Sequence, residues 1–388
     1  MSHSLRSLVG HVVSWLFLAL ALLLIVLQYT TLTKFAVLPP SASYLTFARF
    51  FAAVQEQVAF SWGDGLLVSA LGLVLLGLIG CEVRSAAVSK WLQYFFESEQ
   101  RALGLLVCAS LLSVRFYFAP GELNWAGDAS HHIATADIAA QAIRAGEIPI
   151  WTFYIGGGSP YLQNYGFLFF YWVGLVDLLC GDIFLSLKLV LAFAHVLSGV
   201  GMYVFARRLF AARRAAFVAG LAYVLCFWHV QHVLIMGRLP LALFYGLLPW
   251  VFAAVETLLA NYYKMAAAAV GGVLLALLAF AHPGYGAWAF IFLAVYAAIR
   301  LSQAGGRADR RRSFWASGLL FAWGVLASSY MSIGMWAEKH YTNLHDFSPG
   351  IKSAANPEQI VPDPTWLHVL SWSNFRFWLW PPEPFHWY

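Results

Sequence analysis

Residues 124–166 read NWAGDASHHIATADIAAQAIRAGEIPIWTFYIGGGSPYLQNYG, and little else in the chain looks like them. The stretch gathers Asp128, His131, His132, Asp137, Arg144 and Glu147, whereas the segments around it are apolar runs that exclude such residues. Of the 388 residues, 61% are hydrophobic and 11% charged, and the mean hydropathy is +0.70. A soluble domain carries about 25% charged residues. The sequence therefore predicts an all-α, polytopic membrane protein, with residues 124–166 as a polar loop laid on one membrane face.

Working outward, apolar runs that read as spans of the hydrocarbon fall at residues 11–33, 66–81, 102–119, 183–205, 215–235, 241–259, 265–281, 285–300 and 314–336, with 66–81 and 285–300 the shortest for it. That makes about nine spans. The first, preceded by Arg6, reads as an uncleaved signal-anchor. An interfacial helix is expected near residues 44–60. Residues 167–180 are too short to cross and read as a second interfacial helix. The sequence thus predicts a division into N-terminal helices and loops (1–101), a transmembrane core (102–340) whose outer loop is 120–182, and an extracytoplasmic tail (341–388) expected to be the start of a longer C-terminal region.

The net charge of +5 sits in short arginine clusters between spans, which is a topology signal and not a nucleic-acid footprint. Placing Arg207–Arg214 and Arg307–Arg312 in the cytoplasm also brings Arg6 and the Arg84–Arg101 loop inside, and it puts residues 120–182 outside. Cys81, Cys108, Cys180 and Cys226 show neither metal-site spacing nor a disulfide framework and read as buried thiols.

Asp128 directly precedes a helical run, with Gly146 at the expected stop and Pro149 beyond it. Asp at that place is a common N-cap. It is equally suited to act as a general base, with His131 and His132 on the same side of the helix start. Asp128 and His131 also offer ligands to a divalent cation such as Mg or Mn. Further ionisable residues fall at helix ends on the same predicted face: His229, His232 and Arg238, then His282, then Glu338. Together they predict a shared polar pocket that binds substrate. His195, deep in a span, predicts an interhelical hydrogen bond. Asp137, Arg144 and Glu147 read as solvated helix positions.

The order of parts resembles the GT-C class of membrane glycosyltransferases. It is most similar to the bacterial YfhO-like proteins, also called 6-pyruvoyl-tetrahydropterin-synthase-related membrane proteins. The resemblance rests on Gly127-Asp128, on RAGEIPIW at 144–151 and on Gly156-Gly157-Gly158, and it extends over about residues 103–340. It implies a bacterial inner-membrane enzyme with its site on the extracytoplasmic face. Such an enzyme moves a sugar from a polyprenyl-phosphate donor to a glycan, lipid or protein acceptor, with Asp128 as general base or metal ligand. The lipid bilayer is its other partner. The alternatives from other classes are a transporter or flippase for a lipid-linked glycan, and a non-catalytic subunit of an envelope-assembly complex.

Overall fold

The structure is a computed structural model, and it describes residues 3–36, 61–120, 128–154, 158–161, 165–226, 232–234, 237–260, 265–303 and 306–337. The interfacial helix expected at 44–60 and the tail at 341–388 lie outside the described residues. Helix dominates, as the composition requires. The strand content described is one antiparallel pair, β1 (Trp151–Thr152) with β2 (Ser159–Pro160).

Two compact units divide the chain. The first runs up to Ala109 and holds α1 (His3–Ala36), α2 (Trp62–Ser85), α3 (Ala87–Phe96) and most of α4 (Glu99–Ser113). Helices α1 and α2 run antiparallel. Lys34, near the end of α1, pairs with Asp64 at the start of α2, and His11 lies 3.7 Å from Glu82 at the far end. Asp64 also closes a capping box. It accepts from the Ser61 N–H at 2.7 Å and the Ser61 hydroxyl at 2.8 Å, while its own N–H donates to Ser61 Oγ at 3.3 Å.

The second unit takes Ser110–Phe118 and the chain from Trp125 onward. It holds α5 (Ala129–Arg144), α6 (Leu168–Cys180), α7 (Ile183–Phe210), α8 (Arg213–Val224), α9 (Leu241–Ala260), α10 (Met265–Ala281), α11 (Pro283–Ser302) and α12 (Arg307–Ala337). Lipid offers helices no hydrophobic reason to associate, so small residues that admit close approach decide which pairs form. Gly246 of α9 lies against α7, and the Trp250 indole donates to the Leu197 carbonyl at 3.1 Å. On α10, a Cβ added at Gly272 would stand 2.4 Å from the Trp323 side chain, so α12 can pack there only against glycine. His195 makes the expected hydrogen bond, to Ser113 Oγ at 2.9 Å.

Among the described residues, five helices are long and apolar enough to cross a bilayer: α2, α7, α9, α11 and residues Arg310–Ala337 of α12. Shorter apolar helices lie at His11–Leu27, Leu168–Cys180 and Met265–Ala281. Of the nine expected spans, those at 11–33 and 265–281 fall in these shorter apolar helices, and two more differ in form. The run at 102–119 is the 15-residue α4 followed by a 3-10 turn at Arg115–Phe118. The run at 215–235 is not one helix. Helix α8 stops after 12 residues, about 18 Å at 1.5 Å each. Beyond it the Arg238 N–H donates to the His232 carbonyl six residues back, at 3.0 Å, and Gly237 has φ 68°. That closes a turn where a helix would bond four residues back. The cysteines form no disulfides, and Cys81 and Cys108 are exposed on the helix surface, where apolar lipid suits a thiol as well as a core does.

Candidate functional site

Helix α5 forms because its alanines favour helix, and it stops where Gly146 takes φ 75°. Gly146 N–H donates to Ile143 O at 3.0 Å and Glu147 N–H to Ala142 O at 2.9 Å. Its buried face, Ala129, His132, Thr135, Ala136, Ala139 and Ala140, follows three- and four-residue spacing. Helix α6 packs on that face through Gly174, where a Cβ would come within 2.7 Å of the Ile143 side chain.

Arg144 is exposed, as the sequence suggests, but it also ties two helices together. Its Nε donates to Asp177 Oδ2 at 2.8 Å, and Asp177 is 1% exposed and also accepts from Ser186 Oγ at 3.4 Å. A buried carboxylate needs such a partner, so this ion pair fixes α5 to α6. The loop between them is tied down by Tyr161, whose hydroxyl donates to Thr135 O at 2.5 Å, and by Tyr171, whose hydroxyl donates to Pro149 O at 2.9 Å.

His132 is the centre of the site. Its Nδ1 lies 2.6 Å from the Gly237 carbonyl, which can only accept, so Nδ1 carries the hydrogen. Nε2 is then free to accept from the Tyr165 hydroxyl, 3.1 Å away, and the two rings stack at 5.6 Å and 20°. This holds the imidazole neutral. Burial pushes its pKa down, opposed by the Gly237 bond and by Asp128, with His131 adding to the depression. Tyr165 is pushed up to about 12, first by burial and then by Asp128, with Arg238 opposing.

Tyr165 reaches this position because Gly166 follows it. A Cβ at Gly166 would lie 2.0 Å from the Ala281 carbonyl oxygen, so the chain passes directly over the α10–α11 turn. There the His282 ring meets the Tyr165 ring edge-on at 5.7 Å. His282 caps α11, its Nδ1 accepting from the Tyr285 N–H at 3.3 Å, so Nε2 bears the ring hydrogen. Burial, then Arg238, then His132 push its pKa down to about 4.

Asp128 does stand at the N-cap position, since its carbonyl accepts from the His132 N–H at 3.1 Å. Its backbone, at φ −80° and ψ 1°, departs from the extended conformation of a capping residue, and its side chain makes no cap bond. The carboxylate is exposed. It acts electrostatically on His132 and Tyr165, while Arg238 acts on Tyr165 and His282. Five side chains from four chain segments therefore converge: Asp128, His132, Tyr165, Arg238 and His282.

Of the other residues singled out from sequence, His131 is exposed at the rim, its ring 6.0 Å from that of His132. His232 is 4% exposed, and its carbonyl shapes the turn that presents Arg238. His229 and Glu338 lie outside the described residues. Asp128 and His131 offer two metal donors, and among the described residues no group of three His, Cys, Asp or Glu side chains is placed to hold an ion.

Residues 162–330 match the family model of the 6-pyruvoyl-tetrahydropterin synthase related domain, a membrane protein. The chain is similar to that family from just before α6 through most of α12. The matched region takes in Tyr165, Gly166, Gly237, Arg238 and His282, and it leaves Asp128 and His132 upstream. No curated protein and no solved structure matches the chain.

Sequence reasoning missed the structural part of Tyr165, Gly166, Gly237 and Tyr285. Tyr165 sits in an aromatic run that reads as an interface belt. A glycine held between aromatics, as in Tyr165-Gly166-Phe167, is the one signal of close backbone approach that was there to be read.

Proposed function

We propose that this protein is a membrane glycosyltransferase of the GT-C kind, taking a sugar from a polyprenyl-phosphate-linked donor to a hydroxyl of a glycan, lipid or protein acceptor. One observation carries the reading. Asp128 presents an exposed carboxylate with no capping bond, at the rim of a cluster that also holds Arg238. A base and a cation that do not neutralise each other suit a reaction in which a proton leaves one substrate and an anion leaves the other.

In this scheme Asp128 accepts the proton of the acceptor hydroxyl as its oxygen attacks the anomeric carbon. The bond from that carbon to the phosphate oxygen breaks, and the electron pair departs with polyprenyl phosphate. Arg238 balances the departing charge. Attack opposite the leaving group inverts the anomeric centre. His132, neutral and held on both nitrogens, keeps the Gly237–Arg238 turn in place, and the Nε2–H of His282 is available to a phosphate or sugar oxygen.

The membrane placement follows from charge. Helix α11 has His282 at one end and Arg300 at the other, and its 20 residues span about 30 Å. With the arginine-rich ends in the cytoplasm, the cluster opens to the extracytoplasmic face of a bacterial inner membrane.

The test compares membranes carrying the wild-type chain, Asp128→Asn and Asp137→Asn. Asp137 bonds within α5, accepting from Gln141 at 2.7 Å, and serves as the control. Sugar transfer, read by mass spectrometry of envelope glycans and lipid-linked sugars, should fall about 10²–10⁴-fold in Asp128→Asn alone. Undiminished transfer in Asp128→Asn at equal protein level would sink the assignment.

A further inference from the structure

At the opposite end of α11 from His282, a groove of about 780 Å³ runs between α11 and α12. Small residues, Ala294, Ala297 and Ala298 on one helix and Gly318 on the other, line it together with Leu301, Phe314 and Phe321, and so do Arg310 and Arg311, both exposed. Ser317 lines the same groove. It is 3% exposed, yet its hydroxyl has no hydrogen-bond partner. That is unusual even within this molecule: Ser69, Ser85 and Ser332 each donate to the carbonyl four residues back, at 2.8, 2.9 and 3.1 Å. A buried hydroxyl without a partner has lost its water and gained nothing in exchange, so an acceptor supplied from outside the chain would be favoured.

We infer that this groove holds one anionic glycerophospholipid, with its phosphate at Arg310 and Arg311, an acyl chain along the apolar lining, and an ester carbonyl accepting from Ser317. The chemistry selects that occupant. An apolar trough in the hydrocarbon belt takes a chain, and two arginines at its polar end favour an anionic headgroup. Ser317 lies seven residues beyond Arg310, about 10 Å along the helix axis. A glycerolipid likewise carries its ester carbonyls on the acyl-chain side of the phosphate, as Ser317 lies deeper along α12 than the two arginines. A polyprenyl phosphate or a simple alkyl phosphate has no acceptor there. The inference does not depend on the transfer reaction, which is assigned to the other end of α11.

Native mass spectrometry of the full chain, released from mixed micelles, tests it with four probes: phosphatidylglycerol, phosphatidylcholine, dodecyl phosphate and inorganic phosphate. Phosphatidylglycerol should be retained, phosphatidylcholine and dodecyl phosphate several-fold less, and inorganic phosphate not at all. Removing both charges with Arg310→Gln and Arg311→Gln should weaken retention roughly 30-fold. Ser317→Ala should weaken it several-fold. Gly318→Leu should abolish it by filling the trough, since a Cβ there meets nothing within 4 Å and the side chain enters open space. Should Gly318→Leu lower the melting temperature, the two surface arginine variants decide alone. Phosphatidylglycerol held equally by the arginine variants overturns the proposal, as does its survival in a folded Gly318→Leu protein. Equal retention of dodecyl phosphate would remove the ester carbonyl from the scheme and overturn it as well.

Discussion

Helix α11 carries polar groups at both ends, and the two ends treat charge in opposite ways. At one end Arg300 grips Glu256 with two bonds, Nε to Oε1 at 2.7 Å and a terminal nitrogen to Oε2 at 2.9 Å, while the Tyr296 hydroxyl donates to the same carboxylate. Every strong donor there has a home, and the cluster ties α9 to α11. At the other end Asp128 and Arg238 both bear on Tyr165 but make no ion pair with each other among the described residues. The bonds go to neutral groups instead: His132 to Gly237, Tyr165 to His132, His282 to the Tyr285 N–H. Neutral groups build the frame and the charges are left over. A closed ion pair is structure, whereas a charge held open beside a rigid neutral frame is available to a substrate.

Exchanging the two arginines tests that contrast most severely. Arg300→Met strands a carboxylate that is 5% exposed, and it should destabilise the fold by about 3 kcal/mol, read as loss of thermal resistance in detergent. Arg238→Met should leave that thermal resistance nearly unchanged and lower sugar transfer at least tenfold. If both variants lose stability alike, the distinction between closed and open charges fails. A smaller effect is expected from Gly166→Ala, where the methyl group would meet the Ala281 carbonyl oxygen. The shift needed to relieve it should cost about 1–3 kcal/mol and lower transfer by carrying Tyr165 away from His132.

The smallest effect is one of pH. His282 has its pKa lowered from 6.5 to about 4 in the fold, and that of His132 is lowered too. The unfolded chain therefore binds these protons more readily, so their contribution to stability is complete above about pH 6.5 and is lost as the pH falls toward 4. Protonation would also take away the acceptor that caps α11. His282→Asn keeps a capping acceptor without a titratable ring, and it should flatten the fall in melting temperature between pH 6.5 and 4. An unchanged slope would assign the dependence elsewhere.

Most of the helical architecture was legible because a transmembrane helix announces itself by length and apolarity. Helix α8 was not, since an apolar run looks the same whether it continues as a helix or breaks. The helix ends where the Cys226 N–H bonds three residues back, to the Tyr223 carbonyl at 3.3 Å, and such an end has no periodic signature. For the site, the ionisable residues Asp128, His132, Arg238 and His282 could be chosen from sequence because polar groups at membrane ends are conspicuous. Arg144 is exposed as expected, and only its ion pair escaped notice, because the partner Asp177 is 33 residues away on the next helix. Tyr165 was passed over for the opposite reason: surrounded by other aromatics, it did not stand out.

The bare carboxylate at the start of α5 has a consequence for the folding of that helix. A serine or threonine turned toward the first free N–H groups would stabilise it by about 1 kcal/mol, and Asp128, with its backbone at ψ 1°, forgoes that gain. On the proposed reaction, Asp128→Ser with that backbone turned extended should give a sturdier helix without sugar transfer. Selection for thermal tolerance alone would favour the exchange, whereas selection for the proposed transfer would reject it. Position 128 is thus a place where robustness and usefulness pull the same residue in opposite directions.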